Sequence, residues 1–370
     1  MHRVSLTYNL VGVEAAQRDL HHPLLALLAA VHDCGSINGA ARRLGLSYRH
    51  VWGELKRWEQ ELGQTLVVWN KGRPAVLSTF GEKLLWAERR AQARLAPQIE
   101  ALRAELEKAF AIAFDAGAGV IPIVASHDDA LPLLRALALE RHRLHLDIGF
   151  SGSVDALAAL NDGRCLMAGF HALVESPPRS PTARVYRPML KPGRHKLVGF
   201  ARRTQGLIVA PGNPLGITML ADLCRYGVRF ANRARGTGTR VVLDELLAAQ
   251  RIDPQHIIGF DRTESSHRSA AEAVASGSAD AALGIEAAAH ARGMGFVPLV
   301  QEQYFLVTLQ PALALPQVQS LLELLRSAEW HAQLGGLAGY EALDSGQVLS
   351  LRRVLPWWRF RKPKPAGASR

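Results

Sequence analysis

The run from Cys34 to Leu62, CGSINGAARRLGLSYRHVWGELKRWEQEL, restricts the fold of this chain more than any other stretch. Gly35 and Gly45 each follow an apolar-periodic segment, where a left-handed residue ends a helix at little steric cost. Ser36 and Ser47 come next, each placed to cap the following helix with its hydroxyl. The pattern predicts a helix whose face carries Leu24, Leu25, Leu27, Leu28 and Val31, then helices over Ile37–Leu44 and Tyr48–Leu62. In the third, Val51, Leu55, Trp58 and Leu62 recur at spacings of 4, 3 and 4, which is one helical face. The other positions hold Tyr48, Arg49, His50, Lys56 and Arg57. A helix, a glycine turn and a second helix with a basic, polar N-terminal half form the arrangement that lays the second helix in the major groove of DNA.

The residues after Leu62 fit that reading. Leu66–Trp69 and Ala75–Leu77 read as a short hairpin whose tip, Asn70–Pro74, carries Lys71 and Arg73, a wing placed to touch phosphates beside the groove. Tyr48, Arg49 and His50 are the base-edge candidates at the start of the helix that Ser47 caps. Arg42, Arg43, Lys56, Lys71 and Arg73 are the phosphate candidates. For Tyr48 and Trp52 the competing reading is packing within a small core. Thr79–Phe114 continues as one long helix with an apolar stripe (Leu84, Leu85, Leu95, Ile99, Leu102, Leu106) that calls for a partner helix, hence a homodimer or higher homo-oligomer.

These residues carry a family likeness. SINGAARRLGLSYRHVWGELKRWEQELGQTLVVW followed by GRPAVLSTFGEKLL resembles the N-terminal domain of ModE-type molybdate-responsive regulators, and is more distantly similar to LysR-type regulators. The wing here is shorter than the Gly-rich segment common in the family. The likeness covers roughly residues 20–90. It implies a winged helix-turn-helix that binds an operator, with the long helix as dimerisation element.

Beyond Asp115–Gly119, a small-residue stretch suited to a linker, short apolar runs alternate with helical ones, the signature of a mostly parallel α/β sheet. The pattern places strands at Val120–Ala125, Leu144–Phe150, Cys165–Phe170, Arg194–Ala201, Leu207–Ala210, Val228–Asn232, Ile257–Phe260, Ala279–Gly284 and Phe296–Tyr304. Helices fall between them, among them Asp129–His142, Thr239–Gln250 and His267–Ser276. In such sheets ligands sit at strand C-termini near helix N-termini. Small polar residues gather there: Ser126-His127-Asp128, Ser151-Gly152-Ser153, His171, Asn232–Arg240 and Thr263–His267, which together read as one polar pocket for a small anion, with Ser126, His127, Ser151, Ser153, His171, Arg235, Gly236, Thr237, Gly238, Thr239 and His267 as the ligand candidates. Arg235 is the residue able to pair with an oxyanion, and the glycines admit a ligand to the backbone. Hydrogen bonding within the protein, or a plain strand-to-helix turn, is the competing reading for each of these residues.

VASHDDAL, AGFH, FANRARGTGTR, ESSHRSAAEAVASGSADAALGIEAAA and FVPLVQEQYFLV resemble the periplasmic-binding-protein-like (PBP-like) domain found fused to helix-turn-helix domains and attached to MoeA-type proteins of molybdenum-cofactor biosynthesis. The likeness implies a two-lobed, type-II binding-protein fold that closes over a small ligand. The expected organisation is a lead-in (1–20), winged helix-turn-helix (21–78), dimerisation helix (79–116), PBP-like domain (117–345) and basic tail (346–370).

Charge and composition narrow the partners. Lys+Arg is 44 against Asp+Glu 33, a formal +11, which favours polyanions and anionic ligands. Eight basic residues and no acid lie between Arg179 and Arg203, and seven more without an acid in the last twenty residues. No apolar run is long enough to span a bilayer, and no secretory pattern opens the chain, so the expected compartment is the cytoplasm, with no membrane partner. Three scattered cysteines (Cys34, Cys165, Cys224) form no CxxC pair, and no P-loop, GxSxG elbow or metal-ligand spacing occurs. Neither a metal nor a cofactor is expected, and no catalytic residue is assigned. The reading is therefore a one-component DNA-binding transcription regulator that senses a small anion, molybdate, tungstate or a molybdenum-cofactor-related compound. The alternative is a cytoplasmic binding protein or an enzyme of molybdenum-cofactor metabolism with an accessory DNA-binding domain.

Overall fold

The structure, a computed structural model, describes residues 22–69, 74–114, 119–173 and 176–358. The chain divides into two compact units, Met1–Gln92 and Ala93–Arg370.

The first unit holds helices α1 (Pro23–Cys34), α2 (Ile37–Leu44) and α3 (Tyr48–Leu62), then strands β1 (Val67–Val68) and β2 (Val76–Leu77), which pair antiparallel. Helix α4 (Thr79–Phe114) begins in this unit. The helix ends follow the punctuation in the sequence. Gly35 and Gly45 close α1 and α2 at φ +60 and +66, while the Ser36 and Ser47 hydroxyls accept from the Gly39 and His50 N–H groups at 3.0 and 3.1 Å. Leu24, Leu27, Leu28, Val31, Ile37, Ala40, Ala41, Val51 and Leu55 are buried together with Leu66, Leu77 and Leu85. Trp58 and Leu62, expected on the same face, pack half-buried at the margin. The wing tip with Lys71 and Arg73, the lead-in before residue 22, linker residues 115–118 and the tail from residue 359 lie outside the described residues.

The second unit is built on one large mixed sheet. Its strands are β3 (Gly119–Ala125), β4 (Leu144–Phe150), β5 (Met167–Ala172), β6 (His195–Val209), β7 (Phe230–Arg233), β8 (Thr263–Glu264), β9 (Ala281–Ile285), β10 (Gly295–Leu309), β11 (Tyr340–Glu341) and β12 (Val348–Ser350). The main path runs β4-β3-β5-β10-β6-β9-β7-β8. Helices α5 (Ala130–His142), α6 (Ser153–Asn161), α7 (Pro181–Tyr186), α8 (Gly238–Gln250), α9 (His267–Ala275), α10 (Glu286–His290), α11 (Pro316–Arg326), α12 (Ala328–Gly335) and α13 (Leu351–Val354) complete it.

Two lobes follow from this order. In the first, β3 pairs parallel with β4 and β5; in the second, β7 pairs parallel with β8 and β9. The long strands β6 and β10 run antiparallel to each other and belong to both lobes: β10 pairs with β5 through Gln303–Thr308, and β6 pairs with β9 through Gln205–Val209. This corrects three sequence expectations. The sheet is not mostly parallel, because the two crossing strands introduce the antiparallel pairings. Arg194–Ala201 and Leu207–Ala210 are not separate strands but parts of one, His195–Val209; the polar stretch Arg202–Gln205 interrupts the apolar pattern and not the ladder. Ile257–Phe260 is a turn, with Gly259 at φ +88 against the Phe230 backbone; the strand is Thr263–Glu264.

Candidate functional site

In the first unit, the N-terminal half of α3 is open to solvent. Val51 and Leu55 anchor the helix to the core, and the turn before them leaves Ser47, Tyr48, Arg49 and His50 exposed. Tyr48 is 46% exposed and Trp52 is also exposed, so neither belongs to the core. Arg42 and Arg43 are exposed at the end of α2. Arg43 pairs with Asp33 at 2.8 Å, and Arg89 reaches the same carboxylate at 3.3 Å. Lys56 pairs with Glu59 at 2.6 Å, and the Leu66 and Val67 N–H groups donate to Glu59 Oε1, so this acid fixes the start of the wing. The surface left by these pairings is a helix start with two cationic or imidazole side chains and a phenol facing outward.

In the second unit, the strand ends bring most of the sequence candidates together. Ser126 and His127 follow β3, Ser151 and Ser153 follow β4, His171 lies in β5, Thr237, Gly238 and Thr239 open α8, and His267 opens α9. Apart from Ser151, the polar residues of this set are buried. Ser153 Oγ lies 3.2 Å from His171 Nδ1. Thr239 Oγ1 lies 3.4 Å from His267 Nε2 and accepts from Gln205 Nε2 at 3.3 Å. The His127 ring packs against Phe150, with centroids 5.1 Å apart. Ser151 is only half-buried and donates to Asp155. The two lobes meet here. The Val154 N–H donates to Gly236 O at 3.3 Å; a Cβ on Gly152 would stand 2.7 Å from that oxygen, and one on Gly238 2.9 Å from His171 Cβ.

Arg235 is not part of this group. Its side chain is 83% exposed and lies 3.7 Å from Asp261. The arginine inside is Arg233, the last residue of β7 and 1% exposed. Its Nε and Nη1 have no hydrogen-bond partner, and no carboxylate of the described residues forms an ion pair with it. The nearby Glu264 is engaged by Arg94 at 3.0 Å. Burial pushes the Arg233 guanidinium down to about 9, Arg203 adds to that, and Glu264 opposes it.

The crossing strands supply Arg203, Glu302 and Tyr304, none of which stands out in the sequence. Arg203 is enclosed between Asp128 and Glu302, with Nε 2.5 Å from Glu302 Oε1, and Tyr340 donates to Asp128 at 2.6 Å. Burial opposes the Arg203 charge, but Glu302 and Asp128 outweigh it and hold the guanidinium well above its ordinary range. The Tyr304 ring lies on His171, with centroids 4.0 Å apart. Burial first, then Arg203 and Arg233, hold His171 well below its ordinary 6.5; for His267 the order is burial, Arg233, Arg203, His171 and His127. Both imidazoles are therefore neutral near pH 7. Among the described residues, no group of three or more His, Cys, Asp or Glu is arranged to hold a metal ion. No helix of the described residues is long and apolar enough to cross a membrane.

Comparison with known proteins agrees with the two-part architecture. Residues 23–82 match the family model of the bacterial regulatory helix-turn-helix protein, lysR family, and residues 134–326, more than half of the chain, match that of the PBP superfamily domain. Over 200 residues the chain is 34% identical to the uncharacterized protein YvgK of Bacillus subtilis (strain 168); the match covers 54% of this chain and 64% of YvgK, so this chain spans less than two thirds of that relative. It is 32% identical over 111 residues to an uncharacterized protein of Clostridium pasteurianum in the 5′ region of a 2Fe-2S ferredoxin gene, covering 30% of this chain and 98% of that one. Among solved structures, a hydrogen-peroxide-bound cysteine-to-serine mutant of Corynebacterium glutamicum OxyR aligns over 81% of this chain and 88% of its own, with 17% identity and a TM-score of 0.41. The chain belongs to the PBP superfamily, and carries ahead of that domain a regulatory helix-turn-helix of the lysR type.

Proposed function

We propose that this chain is a one-component transcription regulator, acting in the cytoplasm, whose helix-turn-helix reads a palindromic DNA operator and whose PBP domain takes a small anionic effector. One observation carries the reading: a lysR-type helix-turn-helix presents the exposed start of its second helix, Tyr48, Arg49 and His50, on a rigid capped scaffold. Arg42 and Arg43, with Lys71 and Arg73 of the wing and Lys56 beside it, supply phosphate contacts. Leu95, Ile99, Leu102 and Leu106 are exposed along α4, an apolar stripe that supports a homodimer and so two half-sites. The buried strand-end hydroxyls, imidazoles and unpaired guanidinium support an anion in the second domain. Within that class molybdate or tungstate comes first and a molybdenum-cofactor compound second, on the likeness of the head to ModE-type regulators and of the second domain to the one attached to MoeA-type proteins.

The test is fluorescence polarisation with duplex DNA from upstream of the chain's own coding sequence, at low and rising salt. Saturable binding is expected, with log K falling linearly against log salt. Arg49→Ala weakens it by roughly 5- to 150-fold if Arg49 reads a base. A chain that ignores duplex DNA at low ionic strength overturns the proposal.

A further inference from the structure

We infer that the second unit holds a compact oxyanion in a site charged by Arg233 and completed by Ser126, His171, His267 and Tyr304, with both imidazoles as N–H donors. The inference rests on the reading that this domain takes an anionic effector, and deepens it by naming the anchor and the ligand class.

An isolated charge in a protein interior is costly unless something compensates it. Arg203 shows the compensated case, with a carboxylate on either side. Arg233 shows the other: equally buried, with two nitrogens unpartnered and its neighbouring carboxylate held by Arg94. Other buried polar groups at the strand ends also lack partners. Ser126 Oγ, His171 Nε2, His267 Nδ1 and Tyr304 Oη are all buried and unpartnered. Packing places them together. A Cβ on Gly169 would meet Ala125 Cβ at 2.6 Å and Tyr304 Oη at 3.0 Å, so the phenol and the residue preceding Ser126 both flank Gly169. Tyr304 stacks on His171, and Arg233 acts electrostatically on both His171 and His267.

The hydrogen-bond chain sets what each group offers. Gln205 Nε2 donates to Thr239 Oγ1, and we assign the Thr239 hydrogen to His267 Nε2, 3.4 Å away, which puts the ring proton on Nδ1. Ser153 Oγ lies 3.2 Å from His171 Nδ1, and we assign the hydroxyl as donor there, which puts the ring proton on Nε2. Each unpartnered ring nitrogen is then an N–H donor. With two hydroxyls and the guanidinium, the set is rich in donors and carries one unpaired positive charge. Such a set suits a ligand that is all acceptor, an anion with several oxygens. Compactness follows from the walls. Gly152 abuts Gly236 and Gly238 abuts His171 without room for a methyl group, so the lobes already meet beside the donors.

The test titrates the full-length chain with sodium molybdate, tungstate, sulfate and phosphate, by calorimetry and thermal shift, alongside Arg233→Gln, Ser126→Ala, Tyr304→Phe and Arg235→Ala. At least one oxyanion is expected to bind saturably and raise Tm. Ser126→Ala and Tyr304→Phe each weaken it roughly 10- to 100-fold, the loss of one hydrogen bond to a charged group. Arg233→Gln abolishes it, and Arg235→Ala leaves it unchanged. Unliganded Arg233→Gln keeps or gains Tm, because a buried unpaired charge is removed. Three results overturn the inference: no oxyanion binds the wild type, Arg233→Gln still binds while Arg235→Ala does not, or Arg233→Gln lowers Tm without ligand. DNA binding by the same preparations separates the two readings. Loss of oxyanion binding with operator binding intact sinks this inference alone, while loss of operator binding sinks the regulator.

Discussion

Two arginines two positions apart have opposite fates, and the sequence singled out the exposed one. Arg235 stands beside Gly236 in a motif that looks built for a ligand, yet β7 ends at Arg233 and the chain turns outward before Arg235. The available signal was different: all four residues of β7 are buried, so a charge at its end needs either a partner or a ligand. The same argument applies to Arg203, which the sequence presents as one of a crowd of basic residues between Arg179 and Arg203. Its partners Asp128 and Glu302 lie 75 and 99 residues away, beyond the reach of any local pattern. Arg203→Met strands two buried carboxylates at once and should lower stability by about 3–5 kcal/mol. Urea denaturation of the variant measures it, and a loss under about 1 kcal/mol would show that water already screens the cluster. Ser126, His127, Ser151, Ser153 and His267 stand out in the sequence because each lies where an apolar run stops and a helix is about to begin, whereas His171 lies within β5.

At the scale of elements, legibility tracks how local the determinant is. Ile37–Leu44, Tyr48–Leu62 and Thr79–Phe114 were read to the residue, because caps, glycines and period-3.6 faces are written into neighbouring positions. Ser47→Ala removes the hydroxyl that holds the His50 N–H and should cost about 1 kcal/mol of helix stability. Circular dichroism melts would show it, together with weaker operator binding through a frayed α3 start. The crossing strands β6 and β10 were not legible, since their definition is the pairing of distant segments. At their irregular point Gly206 faces Pro298, and the ladder shifts register before Val300. A Cβ there would stand 2.1 Å from Val297 O, a backbone atom that cannot swing aside. Gly206→Ala therefore forces the two strands apart where they pass from one lobe to the other, and should cost about 1–3 kcal/mol, the usual penalty for overpacking. Thermal denaturation of the variant tests this; an unchanged Tm would mean the bulge can absorb the methyl group.

For the whole molecule, the buried imidazoles tie stability to pH. His171 and His267 are held well below 6.5, and His127 is lowered too, by burial first, with Asp129 opposing, Arg268 assisting, Asp128 opposing and Arg233 assisting. In the unfolded chain each returns to about 6.5. Above that value neither state binds the protons and the three residues contribute no pH dependence. As pH falls below it, the unfolded chain takes up protons that the folded chain refuses, so stability drops, and it continues to drop until the depressed folded values are reached. Each histidine can contribute at most about 1.4 kcal/mol per pH unit. Tm should hold between pH 8 and 7 and decline from pH 6.5 to 5.5, with His267→Gln flattening part of the decline. A Tm that stays level down to pH 5.5 would show that the imidazoles are charged in the folded chain. An oxyanion bound against the same rings reverses the balance, since a negative charge in contact favours imidazolium. Binding at pH 6 should then draw protons from the medium, and calorimetry in buffers of different ionisation enthalpy reads that uptake as a change in apparent heat. A heat independent of buffer would mean that the imidazoles stay neutral throughout and meet the anion only as N–H donors beside Arg233 and the hydroxyls.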